Sequence, residues 1–507
     1  MTTMEHTAEH DDEDVHLASL GYASDYKRDM SLWGNFALGF TYLSPVVGVY
    51  SLFAFALSTG GPPMIWAVVL AAVGQFLVAL VFGEVVSQFP VSGGIYPWAR
   101  RLWGRKWAWM AGWVYMIALV VTIASVSYGA GPFVAMAFGI EPSTNVTIAC
   151  ALALIVIVTL LNLGGTSLLA KIAFFGFVAE LAGAIAVGGW LLLTERHQSL
   201  GVLFDTHDVS VTGSYLPAFL ASALIGVYLY YGFEACGDVA EEVKNPRVQI
   251  PKSMRMTIYI GGFASFFITL ALLLAVPDIR AVITGQDADP VTTVLQDAFG
   301  PIGFRVVIAI VLISFFSCAL SLQAAASRLV YAYARDHMMP GSQLFARFST
   351  ARAVPPYALL LAAIVPSVII IGSKVSEDAL TKIVSFAALG IYLGFMMVVL
   401  AALRARLKGW RPSGTFTLGA WGLPITIAAF SYQILAALNM AWPRTPDAPW
   451  YDNYIVILSA VVVVGVGLVY MLAAKPYLRK DTPHGDAVRL NTVPSAALSS
   501  TVSEELS

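Results

Sequence analysis

Runs of about 20 predominantly apolar residues recur along this chain, about twelve of them between residues 32 and 473. Each is long enough to cross a hydrocarbon core of roughly 30 Å as a helix, and about twice as long as a membrane-spanning strand needs. Inside a bilayer every backbone N–H and C=O must be satisfied within the protein, so the chain is an all-α integral membrane protein. The composition agrees. Hydrophobic residues make up 58% and charged residues 12%, against about 25% charged in soluble domains. The expected spans are 32–57, 64–86, 107–134, 146–163, 172–193, 216–240, 258–276, 306–334, 357–371, 379–403, 418–440 and 455–473.

Charge sorts along the chain with alternating loops. Arg100, Arg101, Arg105 and Lys106 follow the second span, and Lys244, Arg247, Lys252 and Arg255 the sixth. Arg335, Arg347 and Arg352 follow the eighth, and Arg404, Arg406, Lys408 and Arg411 the tenth. The odd loops carry Asp205, Asp208, Asp287, Asp289, Asp297, Asp447 and Asp452 instead. The positive-inside bias therefore places both termini in the cytoplasm, in a multi-pass protein of the cytoplasmic membrane. Residues 1–30 read as a cytoplasmic tail, because the acidic stretch from Met4 to Asp14 cannot be a secretory signal. Residues 481–507 are polar, without a periodic apolar face, and read as a disordered tail.

A formal charge of −2 gives no reason to expect a nucleic-acid partner. Cys150, Cys236 and Cys318 lie within apolar spans without metal-ligand spacing, and the seven histidines fall in tails and loops. Neither a disulfide framework, a metal centre nor an enzymatic constellation is expected, and no cofactor. The partners are a small molecule and the bilayer, with monomer and homo-oligomer both open.

Two spans carry internal breakers. The first contains Ser44-Pro45-Val46-Val47-Gly48, where proline removes a backbone donor; the sixth contains Gly232 and Gly237 around Glu234. A carboxylate at bilayer depth costs roughly 3 kcal/mol on insertion scales, which makes Glu234 a functional candidate by default. The breaks lie about five spans apart. A five-span unit repeated in tandem inserts with opposite orientation, the arrangement of inverted-repeat transporters with substrate held between two broken helices. The resulting division is a tail (1–30), a core of two repeats (31–193 and 215–404), two peripheral helices (405–474) and a second tail (475–507). The segment 279–299, divided by Pro290, reads as an outer lid.

Three segments support a family resemblance. The stretch from Glu84 through Phe89-Pro90 and Gly93-Gly94-Ile95-Tyr96 to Arg100-Arg101 and Gly104 resembles the loop after the second helix in the amino acid, polyamine and organocation transporter superfamily. So does Gly232-Phe233-Glu234 running on through Glu241-Glu242-Val243-Lys244-Asn245-Pro246 to Ile250-Pro251. The third is Ser327-Arg328 through Arg335-Asp336 to Pro340. The resemblance covers about residues 32–403 and is to bacterial amino acid permeases. It implies a LeuT-like core of five plus five inverted helices with two extra C-terminal helices, working by alternating access.

The resemblance also assigns roles. Ser44, Pro45, Val46, Val47 and Gly48 would line the substrate site, where the family often places a Gly-x-Gly turn that binds a carboxylate; here the first glycine is Val46. A valine hinders the positive-φ geometry that lets successive N–H groups converge on an anion, so either the carboxylate site is altered or the substrate is an amine without one. Tyr228, Gly232, Phe233 and Glu234 would contribute from the sixth helix, Ser321 and Gln323 from the eighth. Glu234 aligns with an acid used for proton-linked substrate binding, with a purely structural acid as the alternative.

Glu180 falls where some proton-coupled relatives carry a lysine. It would carry the coupling proton, help hold a cation, or pair with a neighbouring helix. Glu84, Glu241, Glu242, Arg328 and Asp336 look like gate or scaffold charges. The aromatic run Trp103, Trp107, Trp109, Trp113 and Tyr115 reads as an interfacial belt with no site role. The expected activity is import of a small amino acid or amine, such as γ-aminobutyrate, choline, ethanolamine or a polyamine. Protons are the expected coupling ion. Exchange or sodium coupling is the alternative within this fold, and a sensor or channel the alternative outside it.

Overall fold

The structure is a computed structural model that describes residues 13–23, 25–141, 143–210, 213–375, 379–445 and 447–478. Among the described residues ten helices are long and apolar enough to cross a membrane, and two shorter apolar helices, Leu216–Leu229 and Pro356–Gly372, complete the expected twelve. The described residues hold no strand beyond two isolated bridges.

Burial separates the helices into an inside and an outside. The most apolar stretch of the first span (Leu32–Gly60) is 83% buried within the protein, and that of the third (Arg105–Ala137) equally so. The twelfth (Ile455–Ala474) is only 11% buried although it is strongly apolar. An apolar helix with few protein neighbours is satisfied by lipid on its remaining faces, so the last span lies at the edge of the bundle, against the third span through Trp109 and Trp113.

The first span is two helices, Leu32–Leu43 and Pro45–Gly60, joined at Ser44, which sits at φ 42°. The fixed φ and missing donor of Pro45 suit the first position of a new helix, and the Ser44 hydroxyl accepts from the Val47 N–H at 3.4 Å as its cap. The sixth span ends a helix at Leu229, turns through Gly232 at φ 116°, and resumes as Ala235–Asp238. The breaks touch. A Cβ added to Gly232 would lie 2.6 Å from the Leu43 nitrogen, and one added to Gly48 would lie 2.5 Å from Leu229 Cδ2. Glycine is required at Gly232, where the obstacle is backbone and φ is positive, whereas at Gly48 the obstacle is the end of the Leu229 side chain.

Three local expectations are revised. The expected tail is structured from residue 13: Leu17, Leu20, Tyr22, Tyr26 and Met30 are buried, and Met30 exchanges backbone hydrogen bonds with Glu242 and Lys244 at 2.9 and 3.0 Å. The loop after the second span (Met64–Gln88) folds into a buried helix, Ile95–Trp103. Its Arg100 and Arg101 are therefore interior side chains rather than free surface charge. The segment after Pro290 runs directly into the eighth span (Pro290–Arg335) through a kink at Gly300. The short helix Ile279–Ile283 stands apart, packed on the second half of the first span, Pro45–Gly60. The expected disordered tail, 481–507, lies outside the described residues, as do residues 1–12.

Candidate functional site

The first break is closed by an acid from another helix. Glu180, on the fifth span (Thr166–Thr194), accepts through Oε1 from the Ser44 hydroxyl at 2.7 Å and from the Val46 N–H at 3.0 Å. Helix N-termini expose N–H groups and a positive dipole end, so a carboxylate is a natural cap there. The other oxygen, Oε2, is buried without a hydrogen-bond partner. One turn earlier, the Thr41 and Ser321 hydroxyls are 2.7 Å apart, and the Cys318 thiol donates to the Tyr42 carbonyl at 3.3 Å. These contacts fasten the eighth span beside the break.

The second break is capped by its own acid. Glu234 Oε2 accepts from the Gly232 N–H at 2.7 Å, and Oε1 accepts from the Tyr115 hydroxyl at 3.0 Å. Asp238 follows one helical turn later, its N–H donating to the Glu234 carbonyl at 3.1 Å. Glu180, Glu234 and Asp238 are each 0% exposed. Both carboxyl oxygens of Asp238 lack a partner. A Cβ on Gly94 would stand 2.4 Å from Asp238 Oδ1, so a glycine there lets the buried helix Ile95–Trp103 reach this carboxylate.

The residues expected at the site divide by what they touch. Ser44, Pro45, Val46, Val47, Gly48, Gly232, Glu234, Glu180 and Ser321 lie at or against the two breaks. Tyr228 packs beside Gly48, with its hydroxyl 3.3 Å from that of Ser125 and its ring edge-on to Tyr231. Phe233 turns instead into an aromatic group with Phe82 and Phe395. Gln323 also faces elsewhere, donating to Thr159 at 2.7 Å and accepting from Asn162 at 3.1 Å, both on the fourth span (Thr144–Asn162). Tyr115, read as part of an aromatic belt, is a ligand of Glu234. Asp238 was missed altogether. Its i+4 spacing from Glu234 was the available signal, since that spacing puts two side chains on one face of a helix.

At the basic end of the molecule the charges close into pairs. Arg328 meets Glu242 at 2.8 Å, and Glu242 also accepts from Thr166. Arg335 forms two bonds to Glu241 at 2.9 and 3.0 Å, while the Ser92 N–H donates to Glu241 at 3.1 Å. Asp336 Oδ2 receives Arg100 at 2.6 Å, Tyr96 at 2.7 Å and Tyr22 at 2.9 Å. Burial, and secondarily the charge of Asp336, pushes the Tyr22 phenol above its usual range, so it stays a donor. Glu84 pairs with Arg406 and accepts from the Leu418 N–H at 2.8 Å, tying the second span to the tenth (Ala379–Leu407). No cluster of three or more His, Cys, Asp or Glu suited to a metal ion occurs among the described residues.

A bundle of apolar helices whose first and sixth members break against each other around buried carboxylates defines a polytopic membrane transporter built on broken helices. The chain belongs to the amino acid permease family, whose model matches residues 30–468. It is similar to Amino-acid permease BAT1 of Arabidopsis thaliana, at 27% identity over 90% of this chain and 94% of the relative. A rice homolog of BAT1 is 26% identical over 91% of this chain and 92% of its own length. Amino-acid permease 2 of Neurospora crassa is 22% identical over 89% of this chain and 86% of its own. These relatives are plant and fungal, whereas the sequence resemblance pointed to bacterial permeases. All are named as permeases rather than enzymes.

Proposed function

We propose that the chain is a secondary active transporter that imports a small amino acid or amine across the cytoplasmic membrane, coupled to protons and working by alternating access. The observation that carries this reading is the contact between two helix breaks, each capped by a fully buried carboxylate. Breaks at membrane depth leave backbone polar groups and side-chain acids where a substrate ammonium and a proton compete for the same oxygens. Glu234 and Glu180 are the coupling acids in this scheme. Neutralising them by a proton, or pairing them with a cation, removes the cost of an unpaired charge and allows the loaded site to move as a closed unit.

The basic end faces the cytoplasm in this reading. Its pairs Arg328–Glu242, Arg335–Glu241 and Arg100–Asp336 form the inner gate, which must separate for release. Because each joins segments distant in sequence, opening exchanges buried pairs for hydrated charges, a change of modest net free energy. The test is uptake into proteoliposomes with an imposed pH gradient, and with a sodium gradient in parallel. Wild-type uptake should follow the pH gradient, and Glu234→Gln and Glu180→Gln should each lose that dependence while folding normally. Full pH-gradient dependence in both variants would sink the coupling assignment.

A further inference from the structure

We propose that the groove between the third and eighth spans, at the end away from the basic face, is a binding site for a phospholipid whose phosphate pairs with Arg305 and whose acyl chain lies along the eighth span. The site is separate from the two breaks and does not depend on the transporter reading. Only the naming of its leaflet as the outer one follows from the loop charges.

The inference begins with one side chain. Arg305 lies in the eighth span (Pro290–Arg335), four residues beyond Pro301, where the helix resumes after the kink at Gly300. Charged side chains within apolar spans pair with one another or reach back to the interface. At the other end of the molecule Arg328, Arg335 and Arg100 each hold a carboxylate. Arg305 is exposed, and among the described residues it forms no ion pair, hydrogen bond or cation–π contact.

The space it faces has the shape of a lipid. Arg305 lines a cavity of about 570 Å³ that runs between the end of the third span, at Met136, and the eighth span. Ile308, Ala309 and Leu312 continue its wall. Their spacing from Arg305, at i+3, i+4 and i+7, puts all four on one face of the helix. Seven residues of helix carry that face roughly 10 Å deeper into the membrane. A charged end, with Gln296 as the second polar side chain of the lining, therefore leads into an apolar lane. The lane opens to the bilayer, since Ile302 and Val306, on the same turns of helix as Arg305, are 82% and 58% exposed.

Charge selects the headgroup. A phosphate accepts two N–H groups of a guanidinium in parallel and neutralises it, which interfacial water does not. No acid lines the cavity among the described residues, so the ammonium of a zwitterionic headgroup has no partner there. The complement is a glycerophospholipid with a negative phosphate and an uncharged head alcohol, as in phosphatidylglycerol.

The test titrates the delipidated full chain in detergent with phosphatidylglycerol, phosphatidylethanolamine, diacylglycerol and inorganic phosphate, reading melting temperature and, by native mass spectrometry, bound lipid. We expect phosphatidylglycerol to stabilise at a concentration fivefold or more below phosphatidylethanolamine, with diacylglycerol and inorganic phosphate inert. Arg305→Gln should keep the ligand-free melting temperature and raise the half-maximal phosphatidylglycerol concentration tenfold or more. Ala309→Trp fills the apolar lane without removing the charge and should do the same, so it carries the test where Arg305→Gln folds poorly. Lipid bound elsewhere is common to wild type and variants, and the difference between them isolates this groove. An unchanged phosphatidylglycerol response in either folded variant overturns the site and leaves Arg305 a side chain reaching for interfacial water. Equal stabilisation by diacylglycerol overturns the phosphate pairing, and equal stabilisation by phosphatidylethanolamine overturns the headgroup selection. Stabilisation by inorganic phosphate alone makes the groove an ion site and overturns the lipid.

Discussion

Gly232 and Gly48 both sit where the broken helices meet, yet they carry different constraints. Gly232 combines φ 116° with backbone 2.6 Å from where a Cβ would stand, whereas the obstacle at Gly48 is the end of the Leu229 side chain. A side chain can change rotamer; backbone at a break cannot move without moving both helices. Gly232→Ala should therefore cost about 1–3 kcal/mol from strain alone and abolish transport, while Gly48→Ala should be milder on both counts. Melting temperature in detergent and uptake in liposomes check this, and equal loss in the two variants would contradict it. Glycines in a broken helix were legible in the sequence. Which of them faces backbone was not, because that depends on Leu43, nearly 190 positions earlier.

Among the elements, the N-terminal segment changes most between sequence and structure. Its acidic, polar character reads as a tail, but Tyr22 reaches Asp336, Leu20 offers its carbonyl to Arg101, and His16 donates through Nε2 to the Gln88 carbonyl at 3.0 Å. Burial lowers the pKa of His16, against the pull of the Gln88 carbonyl and together with the charges of Arg247 and Arg28. A histidine whose pKa is lowered on docking favours the docked segment while it is neutral. That contribution is complete above the ordinary histidine value and is lost as pH falls below it. Protection of residues 13–30 against hydrogen exchange, measured relative to the intrinsic amide rate at each pH, should fall between pH 7.5 and pH 5, and His16→Gln should flatten the change. An identical pH response in the variant would rule out His16 as its source. The segment was illegible as structure because its partners include residues 88–101, 242–244 and 331–336, far along the chain.

For the whole molecule, the alternation of basic and acidic loops predicts that both termini lie on one side of the membrane. Single cysteines at Ser19 and Leu478, both exposed, should react with an impermeant maleimide only after the cells are opened. A cysteine at Gln286 should react from outside. A background lacking Cys150 removes the native thiol that is partly accessible. Labelling of Ser19→Cys and Leu478→Cys from opposite sides would overturn the topology. Span number and span type were read almost completely, since about 20 apolar residues admit few structures in a bilayer. The broken sixth span and the kinked eighth were harder to delimit, because breakers are tolerated in membrane helices when neighbours satisfy the freed groups.

The sequence by itself determined that this chain is a helical membrane protein with two interrupted spans and an acid at the second interruption. Those conclusions follow from local physics: the length of apolar runs, the missing donor of proline and the cost of burying a charge. Only the tertiary structure decided what the interruptions do. It brought Glu180 to the Val46 amide and Ser44 hydroxyl of the first break and Tyr115 to Glu234, left the Asp238 carboxyl oxygens without a partner, and turned Gln323 and Phe233 elsewhere. The reason is geometric. Helical periodicity says which residues share a face, but the neighbour that face meets is chosen by packing between segments more than a hundred residues apart.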